Sequence, residues 1–530
     1  MSNEAPCETL PADVEERPSF DAPPLADVGR RESVRQIRGS SLLLVGRGLS
    51  LALNVVVQVA TVRILSKEGY GVFAYAMSIA AVAEGLIGLG LPRAVARFVP
   101  IFDEQKDRAR VLGTIVLAIS STLAGGACAM LLIVGWRGAL AGELASNPSA
   151  VVALAILSAL APLQGFDRLF LELFSVFGRP RAIFVRRFLL GPLLRLAAVL
   201  ALALRGGGPV ALAIGYVAAG TVGLVFYCTM LWGLLRERKV LRPGAWAEMK
   251  VPAREIFAFA LPLLSTELVI LGIQQTDAVM LGQMVGAESV ASLRAVVPIA
   301  RLNQLVIDIF GILFTPIAAR MLQRGDRAGI HRLYWSTTTW IAVLSFPIFA
   351  ATFTLARPMA SLLFGPRYAD SGGLLAILSA AFYVSAVLGP NGLVLSVFKL
   401  VRYSLIVNLA AFVLHLAGNF VMIPAFGAKG AAIATLVTLV VHGVLKQIGL
   451  RQTRGVKAYD RAAAKPLWVA GAGAAALALL EIFGKPSLLV ATAAAALVTA
   501  GVLAGTRRAL DVEGTFPELM RIPGVRRLMG

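Results

Sequence analysis

The chain has 530 residues, of which 58% are hydrophobic and 15% are charged, and its mean hydropathy is +0.78. Soluble domains carry about 25% charged residues, so this composition excludes a soluble enzyme, a secreted disulfide-linked scaffold and a water-soluble nucleic-acid-binding protein. The formal net charge is +20, an excess of Lys and Arg that a membrane protein places in its cytoplasmic loops.

Residues 1–40 contain acids, prolines and arginines, which predicts a disordered cytoplasmic tail. After them come apolar runs of roughly 18 to 25 residues, the length that a helix needs to cross a bilayer core of about 30 Å. These runs predict an all-α, polytopic membrane protein with about fourteen transmembrane helices. The predicted spans are 41–65, 72–98, 111–135, 149–177, 182–204, 209–235, 255–283, 289–319, 333–356, 372–398, 403–426, 428–450, 466–483 and 486–505.

The distribution of Lys and Arg predicts the orientation of these helices. With the N-terminus inside, 37 of the 50 Lys and Arg residues fall in inner segments and seven in outer loops. Positively charged loops stay in the cytoplasm, so both termini are expected there. The protein itself is expected in the inner membrane of a cell. Contact with anionic membrane lipids also accounts for the basic loops, and no nucleic-acid partner is expected.

An internal repeat divides the chain into halves. Ser175-Val176-Phe177 recurs as Ser396-Val397-Phe398, 221 positions later, and the glycine turns at Gly206 and Gly427 have the same offset. Pro92, expected to end the second span, corresponds to Pro316, expected to end the eighth. Because each copy has six spans, an even number, both copies cross the membrane in the same orientation. Their symmetry axis therefore lies along the membrane normal.

The repeat therefore predicts two six-helix lobes that face each other, followed by a helix hairpin. The predicted units are an N-lobe (41–235), a cytoplasmic linker (236–254), a C-lobe (255–450), a cytoplasmic loop (451–465), the hairpin (466–505) and a cytoplasmic C-terminal tail (506–530).

Polar residues form a stripe along the first span of each lobe. Arg47, Asn54 and Gln58 recur at helical spacing, which places them on one face. In the seventh span, Gln274 matches Gln58 at an offset of 216. A charge at mid-bilayer costs at least about 2.5 kcal/mol, so such residues should face a water-filled cavity between the lobes.

The predicted cavity contains residues suited to an anionic ligand. Arginine binds phosphate oxygens through two hydrogen bonds and stays charged. In the eighth span, Arg294, Arg301 and Asp308 follow heptad spacing, which predicts a shared face. The candidate substrate-binding residues are Arg47, Asn54, Gln58, Arg195, Gln274, Arg294 and Arg301.

Intramembrane carboxylates have two open roles. They can pair with the arginines when no ligand is bound, or one of them can bind the proton or sodium ion that couples transport. The candidates for ion coupling or gating are Glu84, Asp167, Glu267, Asp277 and Asp308.

Other polar residues have simpler structural interpretations. Arg63 lies at the outer end of the first span and is expected to extend towards the headgroups. Arg168 and Glu172 are spaced i, i+4, so they are either cavity residues or a helix-stabilising pair. His415 and His442 are expected to be hydrogen-bonded core residues. No spacing of Cys or His predicts a metal site, and no cofactor is expected.

Four stretches resemble a known family. Arg63–Phe73 is similar to an "R-x-L-x-x-E-x-Y-G-x-F" turn, Gly88–Pro92 to the end of a second span, and Asp277–Gly282 to the start of a second lobe. Asn408 and Asn419 with Ile423–Ala432 resemble an "N…N…I-P-x-x-G-x-x-G-A-A" element. The chain thereby resembles the multidrug/oligosaccharidyl-lipid/polysaccharide transporter superfamily and, within it, the Wzx-type polysaccharide biosynthesis flippases.

The resemblance implies a MATE-like fold and the transfer of undecaprenyl-pyrophosphate-linked oligosaccharide between leaflets by alternating access. It also implies that the protein acts together with glycosyltransferases and a polysaccharide polymerase in the synthesis of O-antigen, lipopolysaccharide or exopolysaccharide. Two alternatives remain open: a proton- or sodium-coupled multidrug exporter, and a membrane-embedded glycosyl- or acyltransferase. The outer loops are short and contain no acid–base or nucleophilic constellation, which disfavours the enzyme.

Overall fold

The computed structural model describes residues 46–510, except 143, 145, 146, 242, 454, 458 and 485. The predicted tail at 1–40, and the predicted C-terminal tail from 511 onward, lie outside the described residues. Within the described part, every regular element is a helix.

Fourteen long helices follow one another through the described residues, and thirteen of them are long and apolar enough to cross a membrane. The fourteenth, α7, has 32 residues and coincides with the predicted seventh span. The helices are α1 Gly46–Ile64, α2 Lys67–Glu104, α3 Arg108–Gly135, α4 Pro148–Val176, α5 Pro180–Arg205, α6 Pro209–Glu237, α7 Ala253–Met284, α8 Ala287–Gln323, α9 Arg327–Thr354, α10 Pro366–Val397, α11 Val401–Phe426, α12 Ala428–Thr453, α13 Ala463–Gly484 and α14 Leu488–Arg507.

The second span does not end at Pro92 as predicted. α2 breaks after Ile87 and restarts at Leu91, with Pro92 in the first turn of the new segment. A proline is tolerated there because the first amides of a helix have no partner within the helix. Gly90 permits the break: its φ is 70°, and a Cβ would stand 2.3 Å from the carbonyl oxygen of Ala260.

The eighth span also departs from its predicted form. Pro316 lies inside the helix, which continues to Gln323. Within α8, residues Arg301–Gln304 form a tighter, 3₁₀-type turn. Such a turn changes the angular step per residue and so shifts the phase of the side chains that follow it. Arg294 and Arg301 line one cavity that Asp308 does not line, so the prediction that the three share a face is wrong.

The last two helices pack on the second lobe. Phe346 and Phe349 of α9 join Tyr383 of α10 in an aromatic cluster that also contains Leu477 and Val502 of the hairpin. The rings of Phe349 and Tyr383 stack with their centroids 4.5 Å apart. Aromatic contact thus attaches α13 and α14 to the C-lobe.

The two lobes meet where α2 packs against α7 and α8. Gly71 and Gly282 allow this close approach: a Cβ on Gly71 would stand 1.9 Å from the Ala287 carbonyl oxygen, and one on Gly282 would stand 2.2 Å from the Tyr75 ring. Glycine is required at such positions because no side chain fits between the backbones.

Hydrogen bonds between the lobes close the same end. Arg63 Nε donates to the Leu363 carbonyl at 2.8 Å, and its Nη2 donates to Leu362. Arg367 donates to the Val62 carbonyl at 2.6 Å. Gln283 donates to the Leu140 carbonyl at 2.6 Å. We call Arg63, Arg367, Gln283 and the carbonyls they bind the interlobe clasp.

Candidate functional site

The larger cavity, here the N-lobe cavity, has a volume of about 800 Å³ and is walled by α2, α4, α5, α6 and α7. Its lining spans residues 77–93, 160–172, 186–195, 216–227 and 267–274 of these helices and contains none of the clasp residues. Its charged lining comprises Glu84, Arg93, Asp167, Arg168, Glu172, Arg186, Arg187, Arg195 and Glu267.

Three ion pairs cross this cavity between different helices. Arg93 of α2 pairs with Glu267 of α7 at 2.8 Å. Arg168 of α4 pairs with Glu84 of α2 at 3.1 Å, and Arg186 of α5 pairs with Asp167 of α4 at 2.5 Å. The carboxylates Glu84, Asp167 and Glu267 thus hold arginines. Arg168 turns to Glu84, so the structure does not pair it with Glu172.

Local irregularity in α5 places Arg186 at the cavity wall. Residues Phe184–Leu190 form a wider, π-type turn, a feature often found at functional sites. The Arg186 side chain is only 7% exposed. It fits because residue 223 is glycine: a Cβ there would stand 2.2 Å from the guanidinium carbon.

Polar atoms around this pair lack partners. Asp167 Oδ1, Arg186 Nε and the Tyr227 hydroxyl are buried and make no hydrogen bond within the described chain. Buried polar groups are nearly always satisfied by protein, water or ligand. The Asp167–Arg186 pair and its tyrosine neighbour thus have hydrogen-bonding capacity that the described residues leave unused.

Two arginines of the N-lobe cavity have no carboxylate within ion-pair distance among the described residues, Arg187 and Arg195. Arg195 Nη1 reaches Asn54 Oδ1 at 3.4 Å. Asn54 in turn donates to the Ser50 carbonyl at 2.7 Å. The first-span polar stripe therefore reaches this cavity through Asn54.

The smaller cavity, here the C-lobe cavity, has a volume of about 330 Å³ and lies between α7, α8, α10, α11 and α12. Arg294, Arg301 and Lys446 are its cationic residues, and Asp277 is its carboxylate. Gln274 lines both cavities, so they adjoin at this amide.

Arg294 and Arg301 differ in their surroundings. Arg294 Nη2 donates to Gln275 Oε1 at 2.5 Å, and Gln58 donates to the Arg294 carbonyl at 3.3 Å. Arg301 makes no ion pair with any described residue, and its guanidinium carbon lies 5.8 Å from the centre of the Phe382 ring. An arginine over an aromatic face keeps its hydrogen-bond donors free for a ligand.

Asp277 is surrounded by hydrogen-bond donors of the second lobe. Its Oδ1 accepts from Asn419 Nδ2 at 2.8 Å and lies 2.8 Å from His415 Nε2. Its Oδ2 accepts from Thr435 at 3.0 Å. His415 is fully buried, and its Nδ1 lies 3.2 Å from Thr438 Oγ1. His442 bonds Asn408 at 2.9 Å, so both histidines are hydrogen-bonded.

Four of the predicted site residues line neither cavity: Arg47, Asn54, Gln58 and Asp308. Arg47 Nη2 pairs with Asp308 at 2.9 Å, linking α1 to α8, and both side chains are about half exposed. Arg63, expected to extend towards the headgroups, is instead held by the interlobe clasp. Its partner carbonyls belong to the other lobe and carry no signal in the sequence.

Four cavity residues were missed because their charges were assigned to cytoplasmic loops. Arg93, Arg186, Arg187 and Lys446 all lie within helices and line a cavity. Neighbouring residues such as Arg186 and Arg187 point in different directions on an ideal helix, so helical spacing did not place both at one cavity. No pattern in the sequence marked the wider turn that occurs at this point. Within the described residues, no group of three or more His, Cys, Asp or Glu side chains is placed to hold a metal ion.

Comparison with solved structures shows the class of fold. The lipid II flippase MurJ in an inward closed conformation matches with a TM-score of 0.67 at 12% identity, covering 89% of this chain and 99% of that one. An inward-facing MATE-family multidrug resistance transporter of the MOP superfamily matches with a TM-score of 0.61 at 16% identity, covering 76% and 94%. A MOP superfamily transporter from Pyrococcus furiosus matches with a TM-score of 0.53 at 16% identity, covering 79% and 95%.

The chain shares the fold of these solved transporters, two six-helix lobes with a C-terminal hairpin, as predicted. Residues 37–322, more than half of the chain, match the family model for polysaccharide biosynthesis proteins. The chain belongs to this family and is a multi-pass membrane protein of transporter fold. Among curated protein sequences, none matches this chain.

Proposed function

We propose that this protein moves an undecaprenyl-pyrophosphate-linked oligosaccharide from the inner to the outer leaflet of the inner membrane by alternating access, supplying cell-surface polysaccharide such as O-antigen or exopolysaccharide. The observation that carries the proposal is the pair of adjoining polar cavities with cationic side chains that no carboxylate neutralises. An anionic headgroup supplies the missing charge, since a cation within a membrane is otherwise costly.

The arrangement of closed and open ends fits a state that loads substrate from inside. The interlobe clasp closes the end of the protein at which α1 ends and α2 begins. The distribution of Lys and Arg predicts that this is the outer end. The N-lobe cavity lies towards the opposite end. A substrate from the inner leaflet would therefore enter the cavity, and release outside would require the clasp to open.

Asp277 is the best candidate for coupling to an ion gradient. Asn419, Thr435 and His415 all approach its carboxylate with hydrogen-bond donors. Sodium sites in transporters are built from oxygen ligands. The three donors around Asp277 leave little room for a cation and stabilise the ionised carboxylate. We infer that Asp277 takes up the coupling proton only when the lobes rearrange and these donors move away.

The test is translocation of a lipid-linked oligosaccharide in vesicles containing the full chain. Arg301→Ala should reduce transport at least tenfold, because a charge-assisted hydrogen bond is worth about 1.5–3 kcal/mol. Arg402→Ala is the matched control, since Arg402 is exposed at the start of α11 and lines neither cavity. Transport of organic cations without transport of the glycolipid would overturn the proposal in favour of a drug exporter.

A further inference from the structure

The two cavities differ in charge and in size. The N-lobe cavity has five arginines and four carboxylates, and three of the carboxylates are paired. The C-lobe cavity has three cations and one carboxylate, Asp277, which is already held by donors of its own lobe. The larger cavity is thus nearly neutral and the smaller one is cationic.

We propose that the substrate is divided between them: the pyrophosphate binds in the C-lobe cavity between Arg301 and Lys446, and the glycan occupies the N-lobe cavity. This inference rests on the proposed function and assigns each part of the substrate to its own residues. Gln274, which lines both cavities, marks the passage for the bond joining pyrophosphate to sugar.

Lys446 is the new element of the pyrophosphate site. It lies near the end of α12, is half-buried, and makes no ion pair with any described carboxylate. Gly392 lies beside its amine, since a Cβ there would stand at van der Waals distance, 3.5 Å, from Nζ. A partly buried ammonium without a counterion is costly, and a phosphate oxygen would neutralise it.

Arg301 complements this lysine. Its donors are free of protein carboxylates, and the guanidinium fork matches two phosphate oxygens while the ammonium acts as a point charge. A volume of about 330 Å³ lies at the small end of ligand pockets, which suits a pyrophosphate and leaves no room for an oligosaccharide beside it.

The N-lobe cavity has the opposite preference. Its four carboxylates offset four of its five arginines, so a phosphate gains less there than in the C-lobe cavity, whereas a sugar hydroxyl both donates and accepts hydrogen bonds. Each arginine–carboxylate pair presents donors and acceptors side by side, and Gln164 adds an uncharged amide.

Binding of two lipids to the full-length protein in nanodiscs tests the division: undecaprenyl pyrophosphate without sugar, and the same lipid carrying an oligosaccharide. Lys446→Met should weaken binding of both lipids about tenfold, because both carry the pyrophosphate. Gln164→Ala should weaken binding of the glycolipid about fivefold and leave the Kd of the sugar-free lipid unchanged. Inorganic pyrophosphate should compete with the sugar-free lipid on the parent protein and at least tenfold more weakly on Lys446→Met.

The controls separate folding from binding. Lys446→Arg keeps the charge and should retain most of the affinity, while Arg402→Ala should bind as the parent does. If Lys446→Met binds the sugar-free lipid as the parent does, or if Gln164→Ala weakens both lipids equally, the division is wrong although the proposed function stands. If the parent binds neither lipid, both the division and the proposed function fail. Competition by inorganic pyrophosphate that Lys446→Met leaves unchanged would also overturn the assignment of Lys446.

Discussion

Arg63 and Gln283 occupy equivalent places in the two halves of the chain and make equivalent contacts across the lobe interface. Arg63, at the end of α1, donates to the carbonyls of Leu362 and Leu363. Gln283, at the end of α7, donates to the carbonyl of Leu140. The two donors are 220 positions apart and each is the next-to-last residue of its helix, and Leu140 and Leu362 are 222 apart, close to the offset of 221 between Ser175 and Ser396.

Each lobe therefore reaches across to the short helix between the third and fourth spans of the other lobe. These helices are Arg137–Ala141 and Ala356–Phe364. Two equivalent crossings follow when two copies of one unit face each other around an axis along the membrane normal. Because both crossings must break for the lobes to separate at this end, the clasp adds to the stability that hydrophobic packing between the lobes gives the closed state.

Removing both crossings should favour separation of the lobes at the clasp. Each hydrogen bond contributes about 0.5–1.5 kcal/mol, so Arg63→Ala combined with Gln283→Ala should shift the population at least tenfold towards the open state. Spin labels at Trp136 and Leu362, which are 68% and 73% exposed, would report the distance between the lobes in a background lacking native cysteines. An unchanged distance distribution, beside an Arg402→Ala control, would contradict a gating role.

Gly223 should prove essential to the Arg186 site. A Cβ at this position would stand 2.2 Å from the Arg186 guanidinium carbon, so Gly223→Ala should lower the free energy of unfolding by about 1–3 kcal/mol. Gly233→Ala is the matched control on the same helix, since nothing lies within 4 Å of a Cβ there. Thermal unfolding in detergent measures both variants, and equal midpoints would show that Arg186 has room to move.

The Asp167–Arg186 pair should show strong coupling. Arg186→Gln leaves a partly buried carboxylate without its partner, so we expect a loss of about 2–3 kcal/mol in the free energy of unfolding. Adding Asp167→Asn should restore most of this loss, since both groups are then neutral. Equilibrium unfolding of the parent, both single variants and the double variant gives the coupling energy, and additive losses would argue against a direct ion pair.

Asp277→Asn should separate binding from coupling. The amide keeps the shape of the side chain but cannot gain or lose a proton, so glycolipid transport driven by a proton gradient should fall at least tenfold. Binding of the glycolipid should stay within about twofold, because Arg301 and Lys446 are unchanged. Asp370→Asn provides a control at an exposed carboxylate outside both cavities. Transport by Asp277→Asn that still follows the proton gradient would place the coupling group elsewhere.

The polar contacts of the cavities show where sequence reasoning reached its limit. The stripe of Arg47, Asn54 and Gln58 was visible because helical spacing is a local property. Its partners were not: Asn54 meets Arg195 across 141 positions, and Arg47 meets Asp308 across 261. Likewise, the local pattern of Arg168 suggested Glu172, whereas the packing of α4 against α2 brought Glu84 closer.

The sequence by itself determined the all-helical class, the succession of long apolar helices, the two lobes with their added hairpin, and the family. Apolar length, helical period and repeat offset are written along the chain, and a bilayer leaves few other structures for such a pattern. Only the tertiary structure decided which arginines are paired, where the tight and wide turns of α8 and α5 redirect side chains, and that Lys446 faces a cavity. Those features depend on the packing of helices distant in the sequence, and small changes in helix rotation decide which charge meets which.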